Sequence, residues 1–333
     1  MRNTSPSAFG GASFFWGTPG GTVLSRFRFL LPILLFALFL SCATVSRIDG
    51  QPLAAATVPE EVSPLWLPFP IAGFEDDGHA EGGYYCLAYF SGTVSSPRLE
   101  FHALRVYLPS PAIRIVVADG MVGDSVNETL STRVSSFVRD KGLVAGINAL
   151  PFRPVSGVEG EPRTNVGLVI ADGEILSPSH PRYDALVFFG DGSVAIKPQS
   201  EIESFEEILN AVGGFRRILE GYELVPRVLD LQPRHPRSVA GISSCGRFLY
   251  LLVVDGRRTG SVGSTEAETA ILLRALGAAE GINFDGGGSS SLAMRFPDGE
   301  VRVVNTPVHG NFPHGRERAV AGVLGIGKRL PNP

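Results

Sequence analysis

Apolar positions fall in short runs cut by turn residues, and the period of each run sets the element it predicts. Residues 100–108 place His102, Leu104, Val106 and Leu108 at alternate positions, the two-residue period of a strand with one face buried. Residues 84–90 and 113–118 predict further strands, and the run 143–148 predicts a buried strand that delivers Asn148 to its end. Two hairpins are predicted where Asp-Gly separates apolar runs, because that pair accepts the positive φ of a primed turn. The first joins 166–170 to 174–176 through Asp172-Gly173, and the second joins 185–189 to 194–196 through Asp191-Gly192.

Helical signals are fewer. Residues 126–140 predict a helix with Asn127 as N-cap and Gly142 as its stop, and 205–209 a short amphipathic one. Residues 265–276 carry the clearest signal: Thr265 at the N-cap, Glu268 at the capping-box position, Gly277 just past the end, and Ala270, Leu273, Ala275 and Leu276 toward a core. This helix leads within a few residues into an apolar run bearing Asn283 and Asp285, while the strongly apolar strand 247–254 ends at Asp255-Gly256-Arg257.

The 333 residues are 44% hydrophobic and 19% charged, enough for a sizeable core, and a formal net charge of −4 gives no basic footprint for nucleic acid. The N-terminal stretch differs in kind. Arg26 and Arg28 precede an unbroken apolar run over 29–40, the length of a signal-peptide core and short of the roughly 20 residues that a spanning helix needs. Phe39-Leu40-Ser41-Cys42 resembles a relaxed bacterial lipobox, so residues 1–41 read as a lipoprotein-type signal and Cys42 as the lipidated residue that would anchor an exported cell-envelope protein to a membrane. An ordinary signal with an incidental cysteine is the alternative. Residues 42–80, rich in Ala, Pro and Glu without periodicity, read as a tether. Cys86 and Cys245 remain as a pair that a disulfide can join or that can stay as free thiols.

The stretch most expressive of chemistry is Gly281-Ile282-Asn283-Phe284-Asp285-Gly286-Gly287-Gly288-Ser289-Ser290-Ser291. Three consecutive glycines weaken any regular element, so the bare backbone serves another end, such as N–H groups converging on a phosphate or sugar oxyanion. The run lacks the lysine of a P-loop, and Ser291 stands where a nucleophile elbow requires its second glycine. The six histidines show no zinc-binding spacing, and His309 with His314 reads as incidental.

Pro236-Arg237-Ser238-Val239-Ala240-Gly241, then 251–257 ending in Asp255-Gly256-Arg257, then Glu266, then Asn283-Phe284-Asp285-Gly286-Gly287-Gly288-Ser289-Ser290 resemble, in order, the motifs of the phosphodiester glycosidase family. The resemblance covers roughly 142–327. It implies an α+β domain at 81–330, a mixed β-sheet with flanking helices, that hydrolyses a sugar-1-phosphodiester in a phosphorylated glycan. It also implies Asp285 as the first catalytic carboxylate, with Asp255 or Glu266 as the second. Arg237 and Arg257 are then a phosphate clamp, and Ser238, Gly286, Gly287, Gly288, Ser289, Ser290, Asn148 and Asn305 further substrate contacts. Several have a plainer reading as well: Asp255-Gly256 as a turn, Glu266 as a first-turn helix residue, Arg237 as a surface salt-bridge partner, and the asparagines as groups that cap strands or hold loops. No cofactor is expected, although Asp255, Asp285, Asn148 and Asn305 are hard donors suited to Ca²⁺ or Mg²⁺ and open a reading as metal-assisted phosphodiester cleavage. One departure is Ala149-Leu150-Pro151-Phe152, where relatives carry glycines after the asparagine; it motivates an alternative reading as a noncatalytic glycan-binding or polysaccharide-assembly accessory protein.

Overall fold

The computed structural model describes residues 67–68, 86–117, 121–122, 125–229, 233–310 and 314–329. All lie in one compact unit, residues 53–333. The predicted signal, Cys42 and nearly all of the 42–80 tether lie outside the described residues; of the tether only Leu67–Pro68 is described, paired with the strand Leu87–Ser95. No helix among the described residues is long and apolar enough to cross a membrane.

The largest sheet runs in the order Leu67–Pro68, Leu87–Ser95, Arg98–Tyr107, Phe248–Val254, Arg237–Ile242, Glu280–Asn283, Arg216–Glu220 and Glu223–Leu224. A second sheet orders Val301–Val303, Leu292–Arg295, Ala145–Asn148, Val323–Lys328 and Ile113–Val117; a third orders Glu174–Ser177, Val169–Ala171, Ile208–Gly213, Asp184–Phe189 and Val194–Pro198. A smaller one holds Met121–Val122, Ser125–Leu130, Pro162–Asn165 and Phe152–Arg153. Leu104, Val106, Ala240, Leu251 and Ile282 of the largest sheet meet Ile147, Leu292 and Leu324 of the second and Val169, Leu186 and Val212 of the third in one central core. The opposite face, with Ala103, Val239, Leu252 and Val254, packs under Ala270 and Leu273 of the helix Glu266–Ala275 and Leu276 just past its end. Phe248–Val254 is therefore buried at every position, which is why its sequence is continuously apolar instead of alternating.

The strong local signals are realised. Thr265 and Glu268 form a reciprocal capping box, and Gly277 ends that helix with φ +111°. Asp172 and Gly173 take φ 48° and 84° in the first hairpin. Ala275, expected to face the core, is exposed.

Three expectations are corrected. The strand pairs within the sheets are all antiparallel, so the expected mixed sheet is instead mostly antiparallel β, and the described residues hold two α-helices packed beside it. Short hairpin connections suit antiparallel neighbours, whereas parallel ones need long crossovers. Second, the helix expected over 126–140 is only Val134–Asp140; Ser125–Leu130 is a strand, and Asn127 sits at φ 87° instead of capping. Thr129 pairs with Arg163 across the ladder, and its hydroxyl donates to the Ala321 carbonyl at 2.8 Å, so long-range pairing overrides local helix propensity. The short helix is capped from a distance: Glu317 accepts from the Ser135 N–H at 3.1 Å and Glu159 from the Arg133 N–H at 2.6 Å. Third, 205–209 is not helical; Ile208–Gly213 is a strand flanked on both sides, with Ile208 buried and Leu209 exposed. Of the two readings left open for Cys86 and Cys245, the structure shows no disulfide between them: the first is buried against Ser110 Oγ at 3.1 Å and the second is exposed.

The 149–152 departure is a packing feature. Ala149 and Leu150 are each 1% exposed, and a Cβ at Gly322 would overlap the Leu150 side chain. Gly322→Ala is expected to destabilise by about 1–3 kcal/mol through overpacking. In urea denaturation, the Gly322→Ala, Leu150→Ala double variant should lose less than the two single losses added together; strict additivity would show that the two positions do not share this space.

Candidate active site

The start of Arg237–Ile242 and the ends of Phe248–Val254 and Glu280–Asn283 lie at one rim of the largest sheet, because the three strands are antiparallel neighbours. Asn148 ties the end of Ala145–Asn148 to that rim. Its Nδ2 donates to the Asp285 carbonyl at 2.6 Å, and its Oδ1 accepts from Ser238 Oγ at 2.7 Å and from the Ser291 N–H at 3.0 Å. Asn305 does similar work: its Nδ2 donates to Asp255 Oδ1 and to the Ser290 carbonyl, both at 3.1 Å, and its Oδ1 accepts from the Leu292 N–H at 2.9 Å. Both amides are buried, so they brace the loop from behind; their oxygens are already engaged, which removes them from a hard-cation ligand set.

The three glycines make room for their neighbours as well as offering N–H groups. Within the run, the Gly287 N–H donates to the Pro236 carbonyl, Ser289 to Gly286 and Ser290 to Gly287. A Cβ at Gly286 would lie 2.8 Å from Pro236 O, one at Gly287 3.0 Å from Arg257 Nη2, and one at Gly288 would overlap the Arg318 guanidinium. Gly287, at φ +63°, also needs the left-handed region. Bare backbone thus lets two guanidiniums lie directly on the loop.

Each of those guanidiniums is backed by a histidine. Arg257 Nη2 lies 3.4 Å from His235 Nδ1, and Arg318 Nε donates to His309 Nδ1 at 3.3 Å. Burial, and then the neighbouring arginine charges, push both imidazoles below their ordinary pKa, so at neutral pH they are uncharged acceptors. Arg318 Nη1 also reaches Ser289 Oγ at 3.1 Å. Beside them Asp285 is half-buried; burial raises its carboxyl above the usual range, opposed in part by the Ser289 hydroxyl, Arg318 and the Gly286 N–H.

Other residues singled out from the sequence sit elsewhere. Asp255 is 1% exposed and hydrogen-bonded on both oxygens: Arg258 Nη2 at 2.6 Å, Asn305 Nδ2 at 3.1 Å and the Thr306 N–H at 2.9 Å. Glu100, His102 and Asp255 cluster closely enough to suggest a cation site, but the Arg258 guanidinium already bridges Glu100 and Asp255. Arg237 is buried, donating to the Ser264 and Pro233 carbonyls and pairing with Glu266 at 3.5 Å; it is a strut and is not placed as a clamp. Glu266 is buried between Arg237 and Arg216. Ser238 is enclosed behind the loop, and Ser290 Oγ is buried without a hydrogen-bond partner. Arg318, His235 and His309 were not legible as site residues, since Arg318 and His309 reach the rim from a Gly/Pro-containing loop whose path only the fold defines.

The raised carboxyl of Asp285 has a consequence for stability. Between the ordinary value of 3.8 and its folded pKa, the folded chain keeps a proton that the unfolded chain has lost, so this group lowers stability as pH rises through that window. Asp285→Asn removes the effect. Urea denaturation should show the variant gaining on the wild type between pH 3.5 and pH 7; a difference independent of pH would contradict the burial argument.

A profile of the family described as phosphodiester glycosidase matches residues 141–327. Among curated proteins, the SPbeta prophage-derived uncharacterized protein YomE of Bacillus subtilis (strain 168) is 31% identical over 207 residues, 58% of this chain and 29% of that protein, so the chain matches under a third of that relative's length. Among solved structures, the catalytic domain of zebrafish N-acetylglucosamine-1-phosphodiester alpha-N-acetylglucosaminidase, auto-inhibited by its pro-peptide, aligns with TM-score 0.56 at 18% identity, covering 78% of this chain and 87% of that one. A hypothetical protein from Synechocystis aligns with TM-score 0.54 at 13% identity, covering 74% of this chain and 63% of that one. At such identities the structural likeness is one of fold. The profile match spans more than half of the sequence, and on that ground the chain belongs to the phosphodiester glycosidase family.

Proposed function

We propose that the protein hydrolyses a sugar-1-phosphodiester, releasing the sugar and leaving a phosphomonoester on the other partner. The observation that carries this reading is the pairing of Arg257 and Arg318 over the glycine loop beside Asp285. Two guanidiniums backed by uncharged imidazoles make a seat for the phosphodiester anion, with directed N–H groups for its oxygens. Water attacks the anomeric carbon and its proton passes to Asp285. The carbon–oxygen bond to phosphate breaks, and the phosphate departs with the bonding pair into the arginine seat, where its growing charge is stabilised. A carboxylate whose pKa is raised by burial is a stronger base for that step near neutral pH. The departing phosphate is itself a weak base, so a second carboxylate as general acid is dispensable, in keeping with the engaged positions of Asp255 and Glu266.

The noncatalytic alternative rested on the 149–152 departure. The Ala149 and Leu150 side chains pack into the central core, and the Ala149 carbonyl accepts from the Asp285 N–H at 2.7 Å, so the altered segment supports the Asp285 loop through its backbone and the hydrolytic reading is preferred. The substrate is placed in the cell envelope, with Cys42 as lipid anchor, on the strength of the 26–42 sequence.

The full-length protein is to be incubated with a panel of sugar-1-phosphodiesters, including N-acetylglucosamine-1-phospho-6-mannoside, with release of reducing sugar as readout. Asp285→Asn is expected to lower the rate by about 100-fold or more, the scale of a lost general base. An unchanged rate in that variant rules out the assigned role. Arg318→Ala should fall similarly with charge lost at the leaving phosphate, about 100-fold. In a bacterial host, Cys42→Ser should move the protein from the membrane to the soluble fraction; no change in fractionation removes the anchor.

A further inference from the structure

Beside the Asp285 rim, a second cavity of about 340 Å³ is lined by Arg182, Tyr183, Phe215, Arg216 and Arg227. The three arginines come from separate segments: the turn before Asp184–Phe189, the first position of Arg216–Glu220, and the 3₁₀ turn Pro226–Leu229. No acidic side chain lines the cavity. Among the described residues neither Arg182 nor Arg227 has an ion-pair partner, and both are exposed. Arg216 is held from behind, its Nε 3.7 Å from Glu266 Oε2. Three guanidiniums around so small a space repel one another, and an anion in the cavity relieves that cost.

The remaining walls are aromatic. Tyr183 meets Phe215 edge-on, with centroids 5.4 Å apart at 81°, and His180 stacks on Tyr183 at 4.1 Å. Rigid rings with apolar faces beside guanidinium forks match a ligand that has a compact ring and a charged substituent. The volume falls at the small end of ligand sites, enough for one residue of a glycan. Position gives the last constraint. Arg216 is the cross-strand partner of Asn283, and Asn283 lies two residues before Asp285. Paired residues share a face of the sheet, and two residues of extended chain span roughly 7 Å.

We propose that this cavity is a subsite for an anionic sugar residue, carboxylated or phosphorylated, whose acidic group is taken by Arg182, Arg216 and Arg227 while its ring lies against Tyr183 and Phe215. That this residue neighbours the sugar-phosphate bond being cleaved rests on the hydrolytic reading above. Binding to the cavity does not, and the two are measured separately.

Calorimetric titration of the full-length protein with glucuronate, glucose 6-phosphate and glucose tests it, repeated on Asp285→Asn and on the Arg182→Ala, Arg227→Ala double variant. Both substituted arginines are exposed, and a thermal melt equal to wild type establishes that the double variant is folded. At least one of the two anionic sugars should bind about tenfold or more tightly than glucose, weaken as salt rises, and lose about tenfold or more in the double variant. Which of the two binds identifies the acidic group. Affinity should be retained in Asp285→Asn, even if that variant also shows that the hydrolytic reading fails. Equal affinity for glucose, or anionic-sugar binding that survives in the folded double variant, overturns the proposal; Arg227→Lys, which keeps the charge and loses the fork, should fall between the two.

Discussion

The rim depends first on one buried amide. Asn148 is 1% exposed and joins two segments distant from it in sequence: Ser238 at the head of one strand, and the glycine loop at both its ends, through the Asp285 carbonyl 137 residues away and the Ser291 N–H. A buried side-chain amide must satisfy its polar atoms, and here the partners are the two ends of the glycine loop and the strand beside it. The geometry of Asp285 relative to Arg257 and Arg318 is therefore set from beneath, by a group that does not face the loop's outer side. Asn305 repeats the arrangement for Asp255 and Ser290, which makes the two asparagines a frame and leaves the arginines and Asp285 as the surface.

Charge is distributed along that surface with little acid to neutralise it. Arginines already paired with Glu100, Asp255 or Glu266 are buried or half-buried and serve the fold. Arg257 and Arg318 lean on uncharged histidines, and Arg182 and Arg227 open onto a cavity without acids. The two sets are separated by what lies behind each guanidinium, a carboxylate in one case and a neutral acceptor or solvent in the other. Glu266 makes Arg216 the link between the buried set and the second cavity.

Where local chemistry alone decides, the sequence was readable. Thr265 with Glu268, Asp172-Gly173 and Gly277 each need only their immediate neighbours, and each stands where its residue type requires. Asn148 at the end of an apolar run was readable either as a substrate contact or as a holder of a loop, but which loop it holds was not, because its partners belong to distant segments. The misreadings came where distant pairing outweighed local preference: Ser125–Leu130 is held by Pro162–Asn165, and Ile208–Gly213 by strands on both sides. Arg237 carried a family motif and still turned toward Glu266, since a strand residue's face follows from register, which sequence does not give. Arg318 had no motif near it at all.

The position of Val323–Lys328, inside its sheet between Ala145–Asn148 and Ile113–Val117, bears on how the protein comes to be folded. Arg98–Tyr107 likewise waits for Phe248–Val254, so both large sheets are closed by strands from opposite halves of the chain. Loop-closure entropy has to be met before such contacts reward it, which places the fold among slow, high-contact-order topologies. Early segments such as Arg98–Tyr107 then spend the interval with unpaired edges and uncovered apolar faces, and the chain is most exposed to aggregation before its C-terminal strand docks.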